Sequence, residues 1–241
     1  MNHRPWTRKK FASNLRNIGA SSYHHLHPFH VLMNSGQLDR KSIQVWVANR
    51  FYYQASIPIK DAAIISNCPF RDVRRLWLHR IIDHDGVEAD EGGIGAWLRL
   101  GEACCLPRKD LLGQKHVVPG VRFAVNAYVN FARTQPWPVA VASSLTELFA
   151  PDLMAKRLAA FERFYPWVKS YGLDYFTRRL TQAPRDSGEG LKLTLDYCTT
   201  PEMQQQALQA LQFKCDLLWA MLDAIHARCQ TPASPKTRAS T

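Results

Sequence analysis

The residues with chemistry to offer fall where a helical protein places its core. Each residue of an α-helix turns the side-chain direction by about 100°. Across residues 41–57, Ile43, Trp46, Val47 and Ile57 share one face, Arg50 and Gln54 occupy its middle, and Tyr53 its edge. Across residues 70–84, Val73, Leu76 and Trp77 share a face from which Arg80 and His84 also project, while Arg71, Arg74 and Arg75 point away. Tyr128 lies among Val121, Val125 and Ala132. Lys214 stands in the centre of a stripe of Met203, Ala207, Ala210, Leu217, Leu218, Met221 and Ile225. A single inward Arg ordinarily pairs with a carboxylate or snorkels, and a single inward His or Tyr is an ordinary core residue. Together they are harder to dismiss, because an unpaired cation in a core costs several kcal/mol. Few inward acids are in view to pair them, Glu147 being one candidate. A ligand bearing several carboxylates would satisfy them. The pattern therefore predicts a cationic, aromatic-walled cavity inside a helical bundle, rather than the outward basic stripe of a nucleic-acid surface.

The elements that must position these residues are all helical, with no convincing two-residue alternation. The periodicity predicts helices over residues 41 to about 67, with a possible kink at Pro58, and from an Asn67/Pro69 start to about 84. A Gly- and acid-rich loop follows over 86–95. Further helices are expected over about 94–102, 120–134, 138–149, 151–168 and 172–182. A last long helix is capped by Thr200, has Pro201 in its first turn and runs to about 228. The reading is one all-α domain, a bundle of seven or eight helices. Residues 1–20 and 230–241 are expected as flexible tails, the latter Pro- and Ser-rich.

Composition narrows the class. The 241 residues are 46% hydrophobic, enough for a sizeable core. No apolar run reaches the ~18–20 residues that span a bilayer, and the basic segment 1–10 has no apolar stretch behind it, so neither membrane nor secretory routing is expected. The six cysteines form no CxxC pair and read as reduced thiols of a cytoplasmic protein. The net charge of +11 attracts polyanions without choosing among them.

Seven stretches carry a family resemblance: YHHLHPFH (23–30), WVANRFYYQASIPIKDAAI (46–64), RIIDHDG (80–86), SSLTELFAP (143–151), YPWV (165–168), DYFTRRL (174–180) and FKCDLLWAMLDA (213–224). On these the chain resembles the pyrroloquinoline-quinone synthase family, cofactor-less oxidases of the haem-oxygenase-like or TenA-like helical fold, from about residue 23 to 227. The resemblance implies a pocket of Tyr23, His24, Arg50, Tyr53, Gln54, Arg80, His84, Tyr128, Thr146, Glu147, Met154, Arg157, Tyr175, Arg179 and Lys214. It implies ring closure and an eight-electron oxidation of a bicyclic, multi-carboxylated precursor. Molecular oxygen would be the acceptor, hydrogen peroxide would be released and pyrroloquinoline quinone would be the product. No metal or redox cofactor would take part, and the chain would be a homodimer.

Within that implied site, Arg50, Arg80, Arg157 and Lys214 would hold carboxylates, arginine through bidentate contacts. His84 would act as general base and acid, with Asp83 and Asp85 as possible tuners. With Tyr175 and Arg179, four residues apart on one helix edge, it would form the oxygen site. Met154 departs from the family, which usually has histidine there; methionine offers no proton and only a weak acceptor. Closure over the ligand is expected from residues 151–185, with Pro166, Gly172 and Pro184 as candidate hinges.

Rival readings are weaker. A metal oxygenase of the same fold would want a late H-x-x-x-D-x-x-H run, where this chain has YGLDYFTRRL. The histidines of 23–30 straddle Pro28 without companion acids. A thiaminase-like hydrolase would need Cys215 as nucleophile, yet its helical direction is off the pocket centre. A carrier that binds precursor or product with impaired oxidation is the alternative that Met154 keeps open.

Overall fold

The computed structural model describes residues 4–231. The expected tail beyond residue 231 lies outside the described residues. Within them the chain is helical, with α1 (Arg8–Ser22), α2 (Pro28–Asn34), α3 (Arg40–Asn67), α4 (Arg71–Asp85), α5 (Gly92–Ala103), α6 (Arg108–Leu112), α7 (Pro119–Thr134) and α8 (Trp137–Ala142). These are followed by α9 (Ala150–Phe164), α10 (Asp174–Tyr197) and α11 (Pro201–Gln230). Short 3₁₀ segments cover His24–Leu26, Ser143–Phe149 and Ser170–Leu173. Among the described residues the only β pairing is an isolated bridge between Val87 and Asp90.

Local chemistry explains several boundaries. The Asp39 carboxylate accepts from the Ser42 N–H at 2.7 Å and starts α3. Thr200 does the same for Met203 at 3.2 Å, ahead of Pro201, and starts α11. Asn67 does not cap α4, which begins at Arg71. Its amide instead donates to the carbonyls of Ala132 and Arg133, at 3.2 and 3.0 Å, and closes the end of α7.

Two further expectations are corrected. Residues 8–22 are not a tail: Phe11, Ala12, Leu15 and Gly19 are buried at 3–4 residue spacing, and α1 lies against α11. Nor does the helix after Gly172 stop at Gln182. It runs through Pro184 to Tyr197, because Ala183, Asp186, Ser187, Gly190, Leu193 and Thr194 continue one inward stripe. A proline forfeits one backbone bond, and that stripe outweighs the loss. The 138–149 segment is a short α-helix that passes into 3₁₀ geometry.

The long helices form the frame. α3 packs on α4, α5 and α7; α11 on α1 and α7; α10 on α9 and α5. Trp46, Trp97 and Phe161 are buried in the main cluster, and the Trp97 indole donates to the Val47 carbonyl at 3.0 Å. No described helix is long and apolar enough to cross a membrane.

Candidate functional site

α3, α4, α9, α10, α11 and the two 3₁₀ segments His24–Leu26 and Ser143–Phe149 converge on a cavity of about 50 Å³. It is lined by Tyr23, His24, Arg50, Tyr53, Ile57, His84, Thr146, Glu147, Ala150, Met154, Tyr175, Arg179 and Leu218. Gln54, Arg80, Tyr128, Arg157 and Lys214, the other residues expected at the site, stand behind this wall. The Tyr175 hydroxyl donates to Gln54 Oε1 at 3.0 Å. Lys214 Nζ donates to the Tyr53 hydroxyl at 2.8 Å and lies 3.4 Å from the centre of the Tyr128 ring. The Arg50 guanidinium covers Tyr53 at 4.0 Å, and that of Arg157 covers Trp46 at 5.0 Å.

The cations fall into two groups. Arg80 and Arg179 belong to a buried ion network. Arg80 meets Glu147 at 2.5 Å, Asp61 at 3.6 Å and Asp186 at 3.8 Å. Arg179 meets Asp186 at 3.1 Å and Glu147 at 3.4 Å. Lys60 pairs with Asp61, which also accepts from the Trp77 indole at 2.8 Å. Arg185 ties Asp186 to Asp83 at the rim. Burial pulls the Arg80 and Arg179 guanidinium groups down, but the surrounding carboxylates outweigh it and hold both above the ordinary value. Asp61 and Asp186 are pushed up by burial and brought net below the carboxylate range by their cations.

This corrects the expectation that few inward acids exist. Lys60, Arg80 and Arg179 are balanced by Asp61, Glu147 and Asp186, so Arg80 has acids of its own, although its Nε is left without a hydrogen-bond partner. The sequence pattern missed Lys60, Asp61 and Asp186. The first two sit beyond Pro58, past the apolar stripe that Arg50 and Gln54 interrupt, and Asp186 lies past the expected helix end.

The second group has no carboxylate within ion-pair distance among the described residues: Arg50, Arg157 and Lys214. Burial, with Arg50 nearby, lowers Arg157 to about 9. Burial, with Arg50 and Lys60 adding to it, drives Lys214 well below the ordinary lysine value. Nε and Nη2 of Arg157, both ring nitrogens of His24, and Oε2 of Glu147 are buried without a hydrogen-bond partner in the protein. Such atoms are uncommon in folded proteins, and several of them gather around this one cavity.

His84 donates from Nδ1 to the Arg80 carbonyl at 2.9 Å, which leaves Nε2 as an acceptor. Burial, then the Arg179 charge, lowers it to about 4. Its tuning therefore comes from these sources rather than from neighbouring acids: Asp83 is engaged by Arg185. Met154 lines the cavity, so this chain's departure from the family's expected histidine falls on the site itself. Cys215 is buried outside the cavity lining, and burial pushes its thiol up to about 12, the opposite of what activates a cysteine nucleophile. No cluster of three or more His, Cys, Asp or Glu side chains comes within metal-holding range among the described residues.

The all-helical fold is shared by a known group of proteins, and the chain belongs to one family of them. It is a member of the TENA/THI-4/PQQC family, whose profile matches residues 12–224. Among curated relatives, it is 57% identical to the pyrroloquinoline-quinone synthase of Cronobacter sakazakii over 219 residues, 91% of this chain and 87% of that one. It is 55% identical to that of Pseudomonas aeruginosa over 218 residues, 90% and 87% of the two chains. Solved structures share the fold at low identity. A TenA homolog from Pseudomonas syringae pv. tomato superposes with a TM-score of 0.74 at 13% identity, covering 93% of this chain and 94% of that one. A domain of unknown function with a heme oxygenase-like fold from Shewanella denitrificans gives 0.70 at 14%, covering 92% and 91%.

Proposed function

We propose that this chain is a pyrroloquinoline-quinone synthase: it closes the third ring of a bicyclic, multi-carboxylated precursor and removes eight electrons and eight protons. Molecular oxygen is the acceptor, hydrogen peroxide is released, and no metal or redox cofactor takes part. The observation that carries the reading is the group of Arg50, on the cavity wall, with Arg157 and Lys214 behind it, cations with no carboxylate in ion-pair distance among the described residues. A polycarboxylate supplies the missing counter-charges, and its binding favours the charged forms of Arg157 and Lys214 that burial disfavours.

The division of charge assigns the remaining work. His84 is neutral when the substrate arrives and offers Nε2 as the base that removes a ring proton. Once an anion lies beside it, the imidazolium is stabilised and returns the proton. Arg179 keeps its charge throughout, since Asp186 and Glu147 hold it from behind. Tyr175, whose hydroxyl donates to Gln54 at rest, has a single proton to give. Arg179 stabilises negative charge on reduced oxygen, and Tyr175 joins it once its hydroxyl turns from Gln54 to donate to that oxygen. The electrons come from the deprotonated, quinol-like substrate itself. The protein's task is to bind, deprotonate and stabilise anions.

The chain is proposed to work as a homodimer, as its family resemblance implies, and in the cytoplasm. The test is direct. Protein incubated with the precursor in air, with a chelator present, should yield a tricyclic quinone lighter by the eight hydrogens removed, read by mass spectrometry. Precursor recovered unchanged overturns the proposal.

A further inference from the structure

The cavity of about 50 Å³ is far below the ~300 Å³ from which ligand pockets usually begin, so a wall must move to admit a bicyclic precursor. One wall backs onto a second, open pocket of about 520 Å³ at the surface. The two spaces share the stretch from Ser143 into α9. Thr146, Glu147, Ala150 and Met154 face the cavity, while Phe149, Asp152, Leu153 and Lys156 face the surface pocket. The partition is aromatic. Tyr23, on the cavity side, packs at a tilt against Phe149, with ring centres 5.6 Å apart, and against His25 of the outer pocket at 5.5 Å.

Two separate features mark this partition as movable. Ser143–Phe149 is a seven-residue 3₁₀ segment between α8 and α9. Runs beyond three or four residues are uncommon and often mark hinges. Glu147 is pinned to Arg80 and Arg179, so movement falls on the residues after it. The Phe149 ring, in turn, rests on the bare backbone of α1. A Cβ on Gly19 would lie 1.7 Å from its Cε2 atom, so no other residue leaves this seat open.

The outer pocket has the polar groups an anionic visitor needs. Lys156 supplies positive charge beside Asp152, and His25 Nδ1, a nitrogen able to donate, is buried without a protein partner. The other opening near the site is lined by Asp85, Glu88, Asp90 and Glu91 and has the wrong sign for a polycarboxylate.

We infer that the surface pocket is the vestibule through which the multi-carboxylated precursor reaches the cavity, and that Phe149, swinging on the Ser143–Phe149 hinge, is the gate between them. The inference rests on the proposed synthase activity for its ligand.

The experiment is stopped-flow binding of pyrroloquinoline quinone, followed by the quinone's own absorbance. A gate open about 10% of the time or less slows passage at least about tenfold. Phe149→Ala should therefore raise association and dissociation rates together by at least about tenfold, leaving Kd nearly unchanged. Gly19→Ala, favoured by helix propensity, evicts the ring from its seat and should act in the same direction. Lys156→Glu should slow association and Asp152→Asn hasten it, with both effects collapsing at high salt. Quinone that binds with rates unmoved by Phe149→Ala and Gly19→Ala overturns the gate alone. Failure of the unaltered protein to bind quinone at all overturns the gate and the proposed function together.

Discussion

Replacing Asp186 by alanine removes the acid that faces three guanidinium groups at once: Arg179 at 3.1 Å, Arg185 at 2.8 Å and Arg80 at 3.8 Å. Its side chain is 1% exposed, as are few carboxylates unless paired. Arg80 and Arg179 would then share Glu147, with Asp61 a distant second partner for Arg80. Breaking a buried ion pair costs about 3–5 kcal/mol. Because Glu147 remains, a value near the low end, about 3 kcal/mol, is expected. For a chain of this size that lowers the melting temperature by about 6–12 °C, at about 2–4 °C per kcal/mol. The assay is denaturant unfolding followed by circular dichroism, with the slope checked for constancy. Asp196→Ala is the internal control: its bond to Arg8 is short, at 2.6 Å, but the two side chains are 31% and 55% exposed, and such pairs contribute under about 1 kcal/mol. The pH dependence adds a second reading. Burial raises the Asp186 carboxyl, but Arg80, Arg179 and Arg185 outweigh it, so its folded pKa lies below the ordinary 3.8. Its contribution is complete above that value and is lost as pH falls through the lower, folded one. The gap between native protein and Asp186→Ala should be full at neutral pH and close only in acid. An Asp186→Ala loss no larger than that of Asp196→Ala would refute the account of the network.

Arg157→Met should leave the melting temperature unchanged or raised, since it deletes a buried cation without an acid partner. It should also weaken quinone binding roughly 10–100-fold, the value of a charge-assisted hydrogen bond, as read by equilibrium titration. His84 carries the same sign of linkage in a higher pH window. Its folded pKa of about 4 lies below the ordinary 6.5, so the folded state resists a proton that the unfolded chain accepts. Stability should fall as pH drops from about 6.5 towards 4, and His84→Asn should flatten that slope in acid-unfolding curves. Met154→His tests the one departure from the family. Single-turnover reactions under oxygen should reach the same final quinone spectrum in both proteins. A native trace that halts at an earlier chromophore, and completes only in Met154→His, would show that methionine blocks a late step.

Much of the site was legible because helical phase depends only on residue order. Arg50, Gln54, Arg80, His84 and Lys214 each interrupt an apolar stripe, and such interruptions are visible before any fold is known. Tyr175 and Arg179 sit at a helix edge, where phase is uninformative, and only the family resemblance singled them out. The ion network was hidden for a different reason. Lys60–Asp61 resembles an ordinary solvated pair after a proline, and Pro184 seemed to end the helix that in fact carries Asp186 inward. Proline's local cost is readable from sequence; the tertiary packing that overrides it is not. The same limit concealed α1, whose Phe11 and Leu15 are sparse apolar residues in a basic segment and gain their partners only from α11 and its neighbours. It also concealed the pairing of Arg80 with Glu147, since Arg80 has the same phase whether it meets a ligand or an acid of the protein.

The central claim is that a cationic cavity oxidises a polycarboxylate with oxygen and no added cofactor. Oxygen uptake and peroxide release, recorded together after adding the authentic precursor to metal-depleted protein, test it most directly. The account predicts both signals, dependent on precursor and lost in His84→Asn. Tight binding of precursor and quinone with no oxygen consumed would contradict it.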